Sequence, residues 1–324
     1  MGDAMQSTRH LVDPELQPIV DALPEMHFSA ENLPELRAIV DQFTAGYAVP
    51  DDGISREDLL IAGPQGASDV RVVTYRLDAG AAKLPAILFI HGGGYFSGKA
   101  EHAEEWCRRV VAEVDCLLVS VDYRLAPETK YPGPIEDCYA ALAWLHDNAE
   151  SLGVDRERIA VQGVSAGGGL AASLCLLARD RGRFPIAFQL LTYPMLDDRT
   201  GREGVERVPT TGEFVWDYDS NAFGWDCYLG DAAGGNEVDS YAAAARASDL
   251  AGLPPAFVGT GAIDSLMKEN VDYALRLIAA GVPTALRVYP GAFHGFDNFD
   301  GGASRVGEDF RVDQVTALKR GIGG

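Results

Sequence analysis

From residue 70 onward, short apolar runs rich in β-branched side chains alternate with longer runs whose apolar positions recur at helical spacing. The strand-like runs are 70–76, 86–90, 116–121, 159–163, 188–192, 256–260 and 285–288. Helix-like runs at 103–114, 134–150, 166–180, 267–280 and 311–320 fall between and after them. Their alternation with helices predicts an α/β fold, a mostly parallel sheet covered by helices on both faces. Two segments stand outside the alternation. Residues 1–50 hold proline-punctuated helical pieces at 14–23 and 34–43 before any strand. Residues 200–246 interrupt the pattern between two strands and carry Phe214, Trp216, Tyr218, Phe223, Trp225 and Tyr228. Such a cluster suits a lid with an apolar underside, and equally an insertion packed onto the core.

Composition narrows the possibilities. The 324 residues are 47% hydrophobic and 23% charged, as in a globular protein with ample core. The formal charge of −21 argues against nucleic acid and anionic membranes as partners and favours neutral or cationic substrates; its simplest consequence is solubility. No apolar run approaches the roughly 20 residues that span a bilayer, and the polar N-terminus has no hydrophobic stretch of the secretory kind. The five cysteines (Cys107, Cys116, Cys138, Cys175, Cys227) lack C-x-x-C spacing and mostly lie in apolar runs. They read as small core residues in a reducing, cytoplasmic setting.

The chemistry is concentrated where strands end. Gly163-Val164-Ser165-Ala166-Gly167 joins a strand-like run to an alanine-rich helical one. A serine there turns sharply between the two, with its hydroxyl above the sheet and the Ala166 amide at a helix N-terminus. His91-Gly92-Gly93-Gly94 follows the run 86–90, and consecutive glycines let backbone amides approach a ligand oxygen. Both motifs fall on the edge of an open α/β sheet that binds ligands. A serine nucleophile needs a base. Of six histidines, His10 and His27 fall in the N-terminal helical segment, and His102 and His146 lie in or beside helix candidates, on faces expected to be solvated. His91 shapes the glycine loop, which leaves His294, directly after the last strand, as general base. The order serine, acid, histidine confines the acid to 166–293. Asp264 follows the strand next before that of His294, whereas Asp197 and Asp198 follow 188–192, with Asp198 expected to tie its loop to Arg199.

These residues resemble the bacterial hormone-sensitive lipase group of α/β-hydrolases. The resemblance runs from about residue 70 to the C-terminus through the HGGG run, Asp122-Tyr123-Arg124-Leu125-Ala126-Pro127-Glu128, the elbow at Ser165, Asp264-x-Leu266 with Glu269, and His294-Gly295-Phe296. It implies an eight-stranded core in residues 51–324 and a cap formed by residues 1–50 and the insertion 200–246. It further implies an oxyanion hole of the Gly93, Gly94 and Ala166 amides, unusual X-Pro geometry at Ala126-Pro127 and Tyr131-Pro132, and homodimerisation through the last strand. Candidates for the substrate pocket are Tyr95, Val164, Phe214, Trp216 and Leu266. Two places depart from the family pattern: Val164 precedes the serine where an Asp or Thr is usual, and Ser265 and Lys268 replace a Pro and an Asp after the acid. The expected activity is hydrolysis of short- to medium-chain carboxylic esters by Ser165, Asp264 and His294, without metal or organic cofactor. A lipase or amidase would use the same triad. A non-catalytic receptor, such as the plant gibberellin receptors that this family resembles, lacks the histidine that is present here.

Overall fold

The most apolar runs occupy the centre of an eight-stranded sheet. The computed structural model describes residues 7–23, 28–44, 52–79 and 83–323. Its strands are β1 (Ile54–Ile61), β2 (Val70–Leu77), β3 (Leu84–Ile90), β4 (Leu117–Asp122), β5 (Val154–Val164), β6 (Phe188–Thr192), β7 (Ala256–Gly261) and β8 (Thr284–Tyr289). They lie in the order β1-β2-β4-β3-β5-β6-β7-β8. β1 and β2 are antiparallel to their neighbours, and every other pairing is parallel. Every residue of β3 and of β6 is buried, as expected of central strands covered on both faces; the two polar residues of β6 find partners, Gln189 on the Pro254 carbonyl and Thr192 on Gln314.

Seven of these strands coincide with the apolar runs, and β1 does not. Its sequence, ISREDLLI, places Arg56, Glu57 and Asp58 together and has no alternation of period two. The strand lies at the sheet edge, where only one flank is paired, so its register against β2 supplies order that its side chains do not signal.

The helices are α1 (Gln17–Ala22), α2 (Leu33–Thr44), α3 (Glu104–Val114), α4 (Gly133–Asp147), α5 (Ala149–Leu152), α6 (Ala166–Arg181), α7 (Tyr218–Leu229), α8 (Met267–Ala279), α9 (Phe296–Phe299) and α10 (Arg305–Ile322). α3 and α10 supply the apolar layer on one face of the sheet. α4, α6 and α8 supply the layer on the other. α6 is buried from Ala166 through Ala178, which explains its alanine and glycine content: small residues let it lie against β5 and β6. α7, within the insertion, is capped by the Asp217 carboxylate, which accepts from the Ser220 amide. The boundary expected at residue 50, and His27, lie outside the described residues.

Two expectations are corrected. His146 is not on a solvated face: it is buried, and its Nε2 donates to the Pro185 carbonyl at 3.0 Å. Asp198 does not pair with Arg199, which binds Asp197 instead. The fully buried Asp198 accepts two bonds from Arg246, at 2.5 and 2.8 Å, and one from the Gly234 amide at 2.6 Å. A wholly desolvated carboxylate requires partners on several sides, and Arg246 and Gly234 reach it from the far end of the insertion. The five cysteines are free and buried, and the Ala126-Pro127 and Tyr131-Pro132 bonds are cis.

Candidate active site

Ser165 occupies the single-residue turn between β5 and α6, at φ 55° and ψ −120°. A non-glycine residue in that region is strained, and its neighbours hold it there. The Ser165 amide donates to the Thr192 carbonyl at 2.9 Å, while its own carbonyl accepts from Met195 at 3.0 Å and Gly169 at 3.1 Å. Gly167 permits the approach of α6 to β3, since a Cβ there would stand 2.2 Å from the Ile90 carbonyl oxygen and 2.3 Å from that of His91. The same contact sets the glycine loop beside the serine.

That loop is locked through its carbonyls. The Gly93 carbonyl accepts from the Ser97 amide at 2.9 Å, the Phe96 amide at 3.1 Å and the Ser97 hydroxyl at 3.1 Å. Gly93 adopts φ 112°, and a Cβ on it would lie 2.1 Å from the Ser97 carbonyl oxygen. Among the described residues, the amides of Gly93, Gly94 and Ala166 donate to no protein acceptor. Free backbone donors beside a buried hydroxyl are what a developing oxyanion requires. His91 adds no charge to them. Burial pushes its imidazole down to about 4, and the neutral ring stacks on Tyr123 at 4.2 Å while Nδ1 donates to the Gly92 carbonyl at 2.7 Å.

His294, after β8, closes the arrangement. Its Nε2 lies 2.9 Å from Ser165 Oγ and its Nδ1 lies 2.9 Å from Asp264 Oδ2. The other Asp264 oxygen accepts from the Leu266 amide at 2.9 Å, which fixes the carboxylate plane. Ser165 is 7% exposed, His294 6% and Asp264 1%, so the three interact with little competition from water. Neutral imidazole with Nδ1–H on Asp264 leaves Nε2 as an acceptor for the serine proton.

Aromatic side chains close the site from above. Trp216 lies 6.0 Å, centroid to centroid, from His294, and a Cβ on Gly94 would meet its ring at 2.6 Å. Phe28, from the N-terminal segment, packs 5.5 Å from Trp216 and 5.4 Å from Phe96. Phe214 meets Phe293 edge-on at 6.3 Å. Val164 is half-buried and joins the apolar layer on the α3 and α10 side. Tyr95 and Leu266 are wholly buried; the Tyr95 ring stacks on Tyr228 at 4.3 Å and its hydroxyl donates to the Met195 carbonyl.

Several contributors carry no local signal in the sequence. Arg37, on α2, donates to the carbonyls of Phe96 and Ala126 and pairs with Glu128 at 2.7 and 2.8 Å. These partners stand 59 to 91 residues away, so no spacing rule reaches them. The buried Glu269 accepts from the amides of Leu196 and Asp197 and from Thr200, holding the start of the insertion to α8. After the acid, Lys268 pairs with Asp272 one turn along the same helix.

Residues 87–298 match a family described as alpha/beta hydrolase fold. The chain belongs to the α/β-hydrolase family. The matched span of this hydrolase contains the glycine loop, the elbow, Asp264 and His294. It is similar to the carboxylesterase NlhH of Mycobacterium tuberculosis, with 35% identity over 295 residues and 89% of either chain covered. An ethyl acetate hydrolase of Pseudomonas putida is 31% identical over 254 residues, 78% of each chain. Among solved structures, a bacterial heroin esterase superposes with a TM-score of 0.90 at 40% identity, covering 98% of this chain and 99% of the other.

Proposed function

We propose that Ser165 is the nucleophile, His294 the general base and Asp264 the residue that orients it, with the Gly93, Gly94 and Ala166 amides as oxyanion donors. The chain is a serine carboxylic ester hydrolase. The observation that carries the residue assignment is the unbroken path from Ser165 Oγ to His294 to Asp264, each step 2.9 Å. His294 takes the serine proton as Oγ attacks the ester carbonyl, and the amides hold the oxygen that becomes negative. Collapse expels the alcohol, protonated by His294, and leaves an acyl-enzyme. Water, activated by the same imidazole, then releases the acid.

Short- to medium-chain acyl groups fit the aromatic roof, in which Trp216 rests against Gly94 and beside His294. The likeness to an ethyl acetate hydrolase supports the same range. We take residues 1–50 and 200–246 to act together as one cap over the catalytic residues in 51–324, since Glu213 of the insertion binds Ser7 and Thr8 of the N-terminal segment. Pairing of two copies through the edge strand β8 fits its open flank, and five reduced, buried cysteines fit a cytoplasmic setting.

The test is covalent labelling with an organophosphate together with hydrolysis of p-nitrophenyl esters of graded chain length. Wild type is expected to be labelled once and to turn over acetate and butyrate esters, while Ser165→Ala stays folded, unlabelled and inactive. Labelling of the alanine variant would remove Ser165 from its role. A profile peaking on long fatty acyl chains would overturn the chain-length reading.

A further inference from the structure

Tyr193 packs edge-on against the His294 imidazole with ring centroids 4.7 Å apart. Tyr193 follows β6 directly and belongs to the peptide that clasps the elbow. The preceding Thr192 carbonyl accepts from the Ser165 amide, and the Tyr193 amide donates to Gly259 of β7 at 2.7 Å. Its backbone takes φ 33°, an uncommon conformation for a bulky residue, and its side chain is buried. A strained backbone carrying a large aromatic at that place needs a reason beyond the turn itself, for which glycine would serve better.

The far end of the ring supplies one. The Tyr193 hydroxyl donates to Asp297 Oδ1 at 2.9 Å and accepts from Asn298 Nδ2 at 3.0 Å. Asp297 sits on α9, three residues after His294, so base and second carboxylate share one short stretch of chain. Arg311 of α10 fixes this stretch by donating to the Asp297 carbonyl at 2.8 Å, while its guanidinium pairs with Asp300. The charged and titratable groups facing this cluster are therefore Asp264 on the far side of His294, Arg311 and Asp300 beside Asp297, and the Tyr193 phenol between them.

We propose that Tyr193 is a positioning residue for His294, and that Asp297, through the Tyr193 hydroxyl, lends the imidazolium formed during catalysis a second negative charge. This rests on His294 being the general base. The phenol ring fixes the imidazole edge in the orientation that serves both Ser165 and Asp264. Its O–H, polarised by the carboxylate, carries part of that charge toward the ring as His294 becomes cationic.

Because desolvation pushes the Asp297 carboxyl up to about 6, its charge is present above that pH and lost below it. The test compares kcat and KM for p-nitrophenyl butyrate from pH 5 to pH 9 in wild type, Asp297→Asn, Tyr193→Phe and Tyr193→Leu, with Ser165→Ala as reference. At pH 8 the Asn and Phe variants are expected to lose about 3- to 10-fold in kcat with KM unchanged, the scale of one hydrogen bond. Toward pH 5 their rates should converge on that of wild type. Tyr193→Leu, which removes the ring as well, should lose more at every pH. A loss that is the same at all pH values would make Asp297 a purely structural support, and full activity in Tyr193→Phe and Asp297→Asn would overturn the inference. Residual turnover in Ser165→Ala would instead overturn the triad assignment on which it rests. Thermal melting of each variant separates a folding defect from a kinetic one.

Discussion

The rim of strand ends and the aromatic roof above it enclose the same serine by different physical means. The rim is made of backbone. Ser165 holds a strained φ, Gly167 lies against the carbonyls of Ile90 and His91 where β3 gives way to the glycine loop, and Gly93 fills a space in which a Cβ would stand 2.1 Å from a carbonyl oxygen. Each element of it is written in a few consecutive residues. The roof is made of side chains from separate parts of the chain: Phe28 before the first strand, Phe96 after the glycine loop, and Phe214 and Trp216 in the insertion. Its tether, Arg37, binds carbonyls as well as a carboxylate. A rim of this kind tolerates no added atom, whereas a roof of packed aromatics can exchange apolar volume and keep its shape.

The strongest way to break that comparison is at the triad. Asp264→Asn should lower kcat by about 10⁴ with the fold intact, because the amide favours the wrong imidazole tautomer. Steady-state kinetics beside a circular dichroism spectrum decide it. On the rim, Gly93→Ala should cost about 10²- to 10³-fold in kcat, since the Ser97 carbonyl must move and the loop amides with it. If the alanine variant kept its rate, the rim would be softer than its geometry indicates.

Asp198→Asn tests the border between rim and roof. Arg246, whose side chain is only 11% exposed, would be left without its charged partner, so a loss of about 3 kcal/mol in unfolding free energy is expected, with kcat of the folded enzyme little changed. Urea unfolding read beside activity makes that distinction. Trp216→Ala should shift preference toward longer acyl chains by about tenfold in relative kcat/KM, which a chain-length series measures. Smallest of all is the tether. Arg37→Met should cost about 1 kcal/mol in stability. Arg37 holds the Glu128 carboxyl down at about 2, so the ion-pair part of that difference is present above the ordinary carboxylate range and fades as pH falls from about 4.5 toward 2. Melting curves of both proteins at pH 7 and pH 3 should draw closer together at the lower pH.

Much of the core was legible from periodicity alone. Apolar runs located seven strands and their alternation with helices, most plainly at β3, which is covered on both faces and apolar from end to end. β1 escaped that logic: paired on one flank and charged in its middle, it owes its order to the ladder with β2. His146 escaped it too, since a helix pattern with polar neighbours did not reveal that Pro185 offers a buried carbonyl to its ring. Asp198 was misread for a related reason. The adjacent Arg199 was the visible partner, whereas the actual one, Arg246, is 48 residues away.

The sequence by itself determined the kind of site. A serine between glycines at a strand-to-helix junction, a glycine run after another strand and a histidine after the last one can be read because each uses residues adjacent in the chain. Only the tertiary structure decided what surrounds them. It joined Ser165 to His294 across 129 positions and His294 to Asp264 across 30. It set Tyr193, with Asp297 on its hydroxyl, against the imidazole and Phe28 beside Trp216 above it. Local conformation follows from neighbouring residues, whereas these contacts exist only once sheet order and register have brought remote segments to one edge.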